Sequence, residues 1–360
     1  MTVQKSWRVS LATLLNFVAA TPGIRISRNQ VSIPADVRDT FYQYFDAVRE
    51  DLVHAEADDC MAWAKLAGAR YLQQEQALRA MTGLESIVLP SSLDAFLHEP
   101  VKAFSRPLFE PLLDVLQEKL IVDQFEAQTR RLIEDDLLKL TRISYEAWLA
   151  VTIMNQLEPD EVYRVGLQPE ETDPARLMVL ERASTMSFGF QPKNVALRIP
   201  DVVFHSRLNQ RFFASRFEYV GEIGNYEKSL KKKKDQIQDG DTSGYMGHRG
   251  LLIYRMAGKD NVPLIANRER REVSSPDIYL EYISASECER PEIREGVLQR
   301  LSILTPRQAF ILTEEPGKCA DYMSGPLDVK TVQADLSTDS LRPVVEALLE
   351  DIALPAETRT

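Results

Sequence analysis

The chain has 360 residues, 27% of them charged and 44% hydrophobic, with a formal net charge of −11. That length suits two domains, and the apolar content is ample for two buried cores. With 15 Gly and 19 Pro in the whole chain, neither wholesale disorder nor a collagen-like repeat fits.

Lys5 and Arg8 precede a mostly apolar stretch from Val9 to Ala20, the outline of a secretory leader. Ser10, Thr13 and Asn16 recur every third residue, however, and so draw a polar stripe along an amphipathic helix. Pro34 then sits where a first helical turn begins, and Val37, Phe41, Phe45, Val48 and Leu52 follow at helical spacing. A second helix is expected over residues 59–81, and shorter ones over residues 92–98 and 107–120. Residues 123–157 read as one long helix or two abutting ones, with Trp63 and Trp148 in the helical core. The polar, Pro-containing breaks at Glu158-Pro159-Asp160 and residues 168–174 place a domain boundary there.

Short apolar runs bounded by turn residues follow at 195–205, 211–223, 251–256, 277–283 and 309–313. Helical patterns interleave with them over 226–238, 291–301 and 340–352. The expectation is an α+β chain: a helical domain over 1–165, then an α/β domain over 175–360 with a central mixed sheet. No apolar run approaches the roughly 18 residues of a membrane-spanning helix, so no membrane partner is expected. Cys60, Cys288 and Cys319 are odd in number and widely spaced, which reads as buried, reduced thiols in a cytoplasmic protein.

Charge is unevenly spread. Residues 1–185 carry a net −9, whereas residues 193–272 hold 16 basic against 10 acidic side chains, a net +6. Within that basic stretch, the run Ile199-Pro200-Asp201-Val202-Val203-Phe204 is followed by Arg211 to Gly224. Read as a hairpin with its turn at Ser206–Gln210, it carries Asp201 early in one strand and Glu222 late in the other. Two carboxylates converging from neighbouring strands make a hard-oxygen site for Mg²⁺ or Mn²⁺. The bland alternative makes Asp201 a strand-edge turn residue and Glu222 a surface carboxylate. Lys231, Lys232, Lys233 and Lys234 span about 300° of a helix at 100° per residue. They read either as a solvated helix end or, with Arg249, as phosphate contacts. Tyr245 and His248 lie in the Gly-rich loop before Arg249, and His205, beside the hairpin turn, reads as structural. A second Pro-Asp pair, Pro276-Asp277, reads as a strand start.

Pro200-Asp201 and, twenty-one positions on, Glu222-Ile223 resemble the PD-(D/E)xK nuclease superfamily, the fold of many restriction and phage-defence endonucleases. The resemblance covers about residues 175–285 and implies a restriction-endonuclease-like domain. It implies Mg²⁺ or Mn²⁺ held by Asp201, Glu222 and the Ile223 carbonyl, with a third carboxylate from a preceding helix, for which Glu181 is the positional candidate. The family's lysine falls at Gly224, so either this chain is an inactivated variant or Lys228 or one of Lys231–Lys234 supplies the ammonium. The implied activity is metal-dependent DNA cleavage of the restriction or anti-phage type. The helical domain would then serve oligomerisation, recognition or docking of a partner subunit. The alternative is a non-catalytic DNA-binding or assembly subunit with a nuclease-like fold; a helical scaffold with an unrelated α/β domain is a third reading.

Overall fold

The computed structural model of the chain describes residues 6–167, 178–188, 197–217, 250–267, 272–319 and 328–350. Two compact units emerge, residues 1–69 with 91–144 and residues 70–90 with 145–360.

Helix α1 (Trp7–Ala20) forms as its periodicity suggests. Of its polar stripe Asn16 is exposed, but Ser10 lies on the buried face with Trp7, Leu11 and Leu14, and its hydroxyl donates to Asp51. Val9 and Leu15 are exposed instead. A small hairpin, β1 (Arg25–Ser27) and β2 (Gln30–Ser32), follows and had no clear sequence signal. The two helices expected over 34–81 both form and abut within Arg38–Thr82 (α2), divided by a kink at Ala57, whose backbone is not helical (φ −132°, ψ 18°). Phe41, Phe45, Val48 and Leu52 are all buried, and Phe45 meets Phe109 at a ring separation of 5.0 Å. Gly68 lets α2 pass close to another helix, since a Cβ there would collide with the Leu97 carbonyl. Trp63 is only half-buried, whereas Trp148 is fully inside.

Strand β3 (Ser86–Val88) leads into α3 (Ser91–His98), α4 (Pro100–Ser105) and α5 (Phe109–Leu116). Helix α6 (Val122–Gln156) is a single continuous element. Chain reversal after it is abrupt. Glu158 adopts a left-handed φ of 46°, and β4 (Pro159–Leu167) starts at once, with proline tolerated at the first strand position. The break at 158–160 is therefore one turn before a strand.

The second unit is built on eight strands: β4, β5 (Met178–Arg182), β8 (Val202–Ser206), β9 (Arg211–Phe217), β10 (Leu251–Met256), β13 (Ile278–Tyr282), β14 (Gln308–Thr313) and β15 (Val329–Gln333). Short pieces β6 (Thr185–Ser187), β7 (Leu197–Arg198), β11 (Ala266–Asn267) and β12 (Glu272–Val273) form side sheets. The order across the main sheet is β15-β14-β13-β10-β9-β8-β4-β5. Strands β13, β14 and β15 run parallel and the other pairs antiparallel, so the sheet is large and mixed. A parallel pair needs a crossover, and α7 (Ala285–Cys288) with α8 (Pro291–Leu304) provides it between β13 and β14. Helix α9 (Arg342–Leu349) follows β15.

Every residue of β10 and β13 is buried, as expected of central strands covered on both faces. On one face Val297, Leu301 and Leu304 of α8 pack with Tyr279, Ala309, Ile311 and Leu252. On the other, Tyr145 of α6 lies against Tyr282, with ring centroids 4.9 Å apart. The crossover carries a covalent correction to the sequence reading: Cys288 and Cys319 form a disulfide, with Cα atoms 5.3 Å apart. Thirty-one residues separate them, and only the return of the chain through α8 and β14 brings them together. Among the described residues no helix is long and apolar enough to cross a membrane.

Candidate functional site

The 202–217 segment folds as the alternation of its residues requires. Strands β8 and β9 pair from Val202↔Ser215 to Ser206↔Arg211 around a turn at 207–210, and Gln210 takes the left-handed φ of 56°. Asp201 extends the ladder by donating its N–H to the Ser215 carbonyl at 2.9 Å, which sets it beside Arg216. Because strand side chains alternate, Arg216 shares its face with Ala214 and Phe212 and points into the sheet's covered side.

Asp201 and Arg216 form a buried ion pair. Arg216 Nη1 lies 3.4 Å from Asp201 Oδ1 and donates to the Ile199 carbonyl at 3.0 Å. The Phe217 N–H donates to Asp201 Oδ2 at 2.8 Å. The side chains are 4% and 2% exposed, so neither charge is solvated. Arg216 falls inside the run from Arg211 to Gly224, where the motif gives it no role. The available signal was a cation on the inward face of an otherwise apolar alternation.

A pocket of about 290 Å³ adjoins the pair, with walls from Tyr163 and Val165 of β4, Met186 of β6, and Ile199. The Tyr163 hydroxyl donates to Glu161, and Lys259 Nζ donates to the same oxygen at 3.2 Å while sitting 4.2 Å from the ring centroid. Burial, and then the bond to Glu161, pushes the Tyr163 phenol pKa up.

The other candidates divide cleanly. Glu181 lies on strand β5 rather than on a helix, and its exposed carboxylate pairs with Arg164 across the β4–β5 ladder. His205 is structural as expected: Nδ1 lies 2.8 Å from Asp160 Oδ1 and its ring packs on Phe212. Asp277 anchors the start of β13, accepting the Arg255 N–H at 2.7 Å. Glu222, Ile223, Gly224, Lys228, Lys231, Lys232, Lys233, Lys234, Tyr245, His248 and Arg249 lie outside the described residues. Their attachment points are described. Phe217 ends β9, Leu251 begins β10, and these two residues are cross-strand partners. Gly250 (φ +102°) marks the re-entry, where a Cβ would collide with the Leu280 carbonyl. Asp201 lies at this same end of the strands, next to Phe217.

A divalent cation needs several hard oxygens. The described residues bring one carboxylate, and both its oxygens already accept N–H bonds, one from a guanidinium that would repel a second cation. Nor does any group of three or more Asp, Glu, His or Cys suited to a metal occur among the described residues. Glu222 and Ile223, the other metal ligands that the resemblance implies, lie outside the described residues. Compared with family models, curated proteins and solved structures, the chain finds no match.

Proposed function

We propose that this chain binds nucleic acid through its second unit, on a restriction-endonuclease-like scaffold, without using a metal ion at Asp201. The observation that carries the reading is a shared end of neighbouring central strands. Asp201, the end of β9 at Phe217 and the start of β10 at Leu251 meet there, next to a pocket. Between Phe217 and Gly250 the sequence contains Lys228, Lys231–Lys234 and Arg249, inside a stretch whose net charge is +6. Point charges of this kind bind phosphates whatever the base sequence. The chain's total of −11 arises largely in residues 1–185, and so does not oppose binding at the other end of the molecule's sequence.

Metal-dependent endonuclease activity through Asp201 and Glu222 is the competing reading, supported by the Pro-Asp and Glu-Ile resemblance. The Arg216 ion pair favours the non-catalytic one. In it Asp201 holds Arg216 in place, and Gly224 needs no replacement cation because no phosphodiester is cut.

Fluorescence anisotropy with labelled single-stranded and duplex DNA, across a salt series in EDTA, tests the proposal. Four or five phosphate contacts give a log–log salt slope of about −3 to −4.5. Gln at positions 231–234 should flatten that slope without changing the fold. Nicking of supercoiled plasmid in Mg²⁺ that disappears in Asp201→Asn would overturn the non-catalytic reading in favour of the endonuclease.

A further inference from the structure

We infer that the pocket beside Asp201 and Arg216 takes a single unstacked nucleotide of the bound strand, base inward and phosphate at the mouth. The inference rests on the nucleic-acid reading above and adds to it the form of the substrate. At about 290 Å³ the pocket is at the small end of organic-ligand sites. It has room for one nucleotide's base and not for a stack or a duplex.

The lining suits a base. Val165, Met186, Ile199 and the Tyr163 ring supply apolar and aromatic faces, which accept any base because every base has a π-face. At one end Asp201 and Arg216 place a carboxylate and a guanidinium side by side, and the Thr185 and Ser187 hydroxyls also line the space. Donors and acceptors together are what the edge of a flipped base requires. The Phe217 N–H and the Ile199 carbonyl hold the ion pair from behind, so it is ordered before any ligand arrives and costs little to organise on binding.

The mouth suits a phosphate. Arg164 is among the residues that border the pocket, and its side chain, which alternation turns to the face opposite Tyr163 and Val165, is 69% exposed. Its partner Glu181 is 55% exposed, and a surface pair of this kind contributes little. Exchange of that carboxylate for a phosphate is therefore an easy step, since a guanidinium can hold phosphate oxygens in a bidentate bond.

The test separates bases from phosphates. Two labelled oligonucleotides of equal length are compared by anisotropy with the full chain, one carrying bases and one abasic throughout. The parent chain should bind the base-bearing strand at least about fivefold more tightly, the lower bound for one stacked base. Ser187→Trp and, separately, Ala183→Trp fill the pocket from partly exposed positions. Either should bring the two affinities together while leaving the affinity for the abasic strand within about twofold, with circular dichroism confirming the fold. Equal affinities in the parent chain would overturn the inference and leave the nucleic-acid reading standing. So would a preference for bases that survives in both folded variants. Binding of neither strand would overturn both.

Discussion

Asp201→Asn separates an ion-pair site from a metal site by the sign of its effect on stability. Asparagine keeps the shape of the side chain and an acceptor for the Phe217 N–H, but removes the negative charge opposite a guanidinium that is itself 4% exposed. Breaking a buried pair costs about 3–5 kcal/mol, and the retained acceptor puts this case near 3 kcal/mol. The second unit comprises about 240 residues, for which each kcal/mol moves the midpoint by roughly 2–4 °C. The calorimetric transition of that unit should therefore fall by about 6–12 °C, equally in EDTA and in Mg²⁺. A metal site behaves in the opposite way. Its carboxylates repel one another without the ion, so asparagine relieves repulsion and raises the midpoint in EDTA, while the parent chain gains stability from added Mg²⁺ by mass action. A midpoint raised by the substitution in EDTA, with a Mg²⁺-dependent gain confined to the parent chain, would refute the argument from Arg216.

Four further outcomes follow from the same structure. Gly224→Lys should leave supercoiled plasmid intact in Mg²⁺, because Asp201 remains committed to Arg216; cleavage on that single change would favour an inactivated nuclease. Arg300→Met strands the Glu281 carboxylate, which accepts from Arg300 and from the Tyr279 hydroxyl in the core, and should cost about 3–5 kcal/mol in urea unfolding; a loss below about 1 kcal/mol would contradict the buried triad. Alkylation in denaturant should label one of the three cysteines before reduction and all three after it, and reduction should lower stability by about 3–4 kcal/mol for a 31-residue separation. Burial raises the Tyr145 and Tyr279 pKa values, so the folded chain keeps phenolic protons that the unfolded chain loses above about pH 10, and stability declines as pH rises through that range. Tyr145→Phe removes one of these groups, and its hydroxyl has no hydrogen-bond partner among the described residues. The variant should match or exceed the parent at pH 7 and show a shallower alkaline decline in pH-dependent melting.

Local pattern carried far in some parts of this chain. The strands at 202–206, 211–217, 251–256, 278–282 and 308–313 were legible because alternation and bounding turn residues act within a few positions. The long helices were legible for the same reason at a period of 3.6. Strand β4 was hidden because Pro159 mimics a break, and a proline at the first strand position is a matter of which edge it occupies. Ser10 was misplaced because a polar residue on a helix reads as solvent-facing until a buried acceptor, here Asp51, is known.

The candidate site shows the same division more sharply. Composition and spacing by themselves determined the helical first half, the hairpin with Asp201 at its start, and the concentration of positive charge over residues 193–272. Each depends on residues close together in the chain. Only the tertiary structure decided what Asp201 faces. A hairpin motif gives the turn, but the ladder's register selects the cross-strand neighbour, and here that neighbour is Arg216, with Glu222 six residues further along. The pairing of Cys288 with Cys319 is likewise set by a crossover that no local pattern encodes. An acidic residue in a recognisable motif can hold a metal or a guanidinium with equal local propriety. The register that buries Arg216 against Asp201 is set by the pairing of whole strands, which the local motif does not encode.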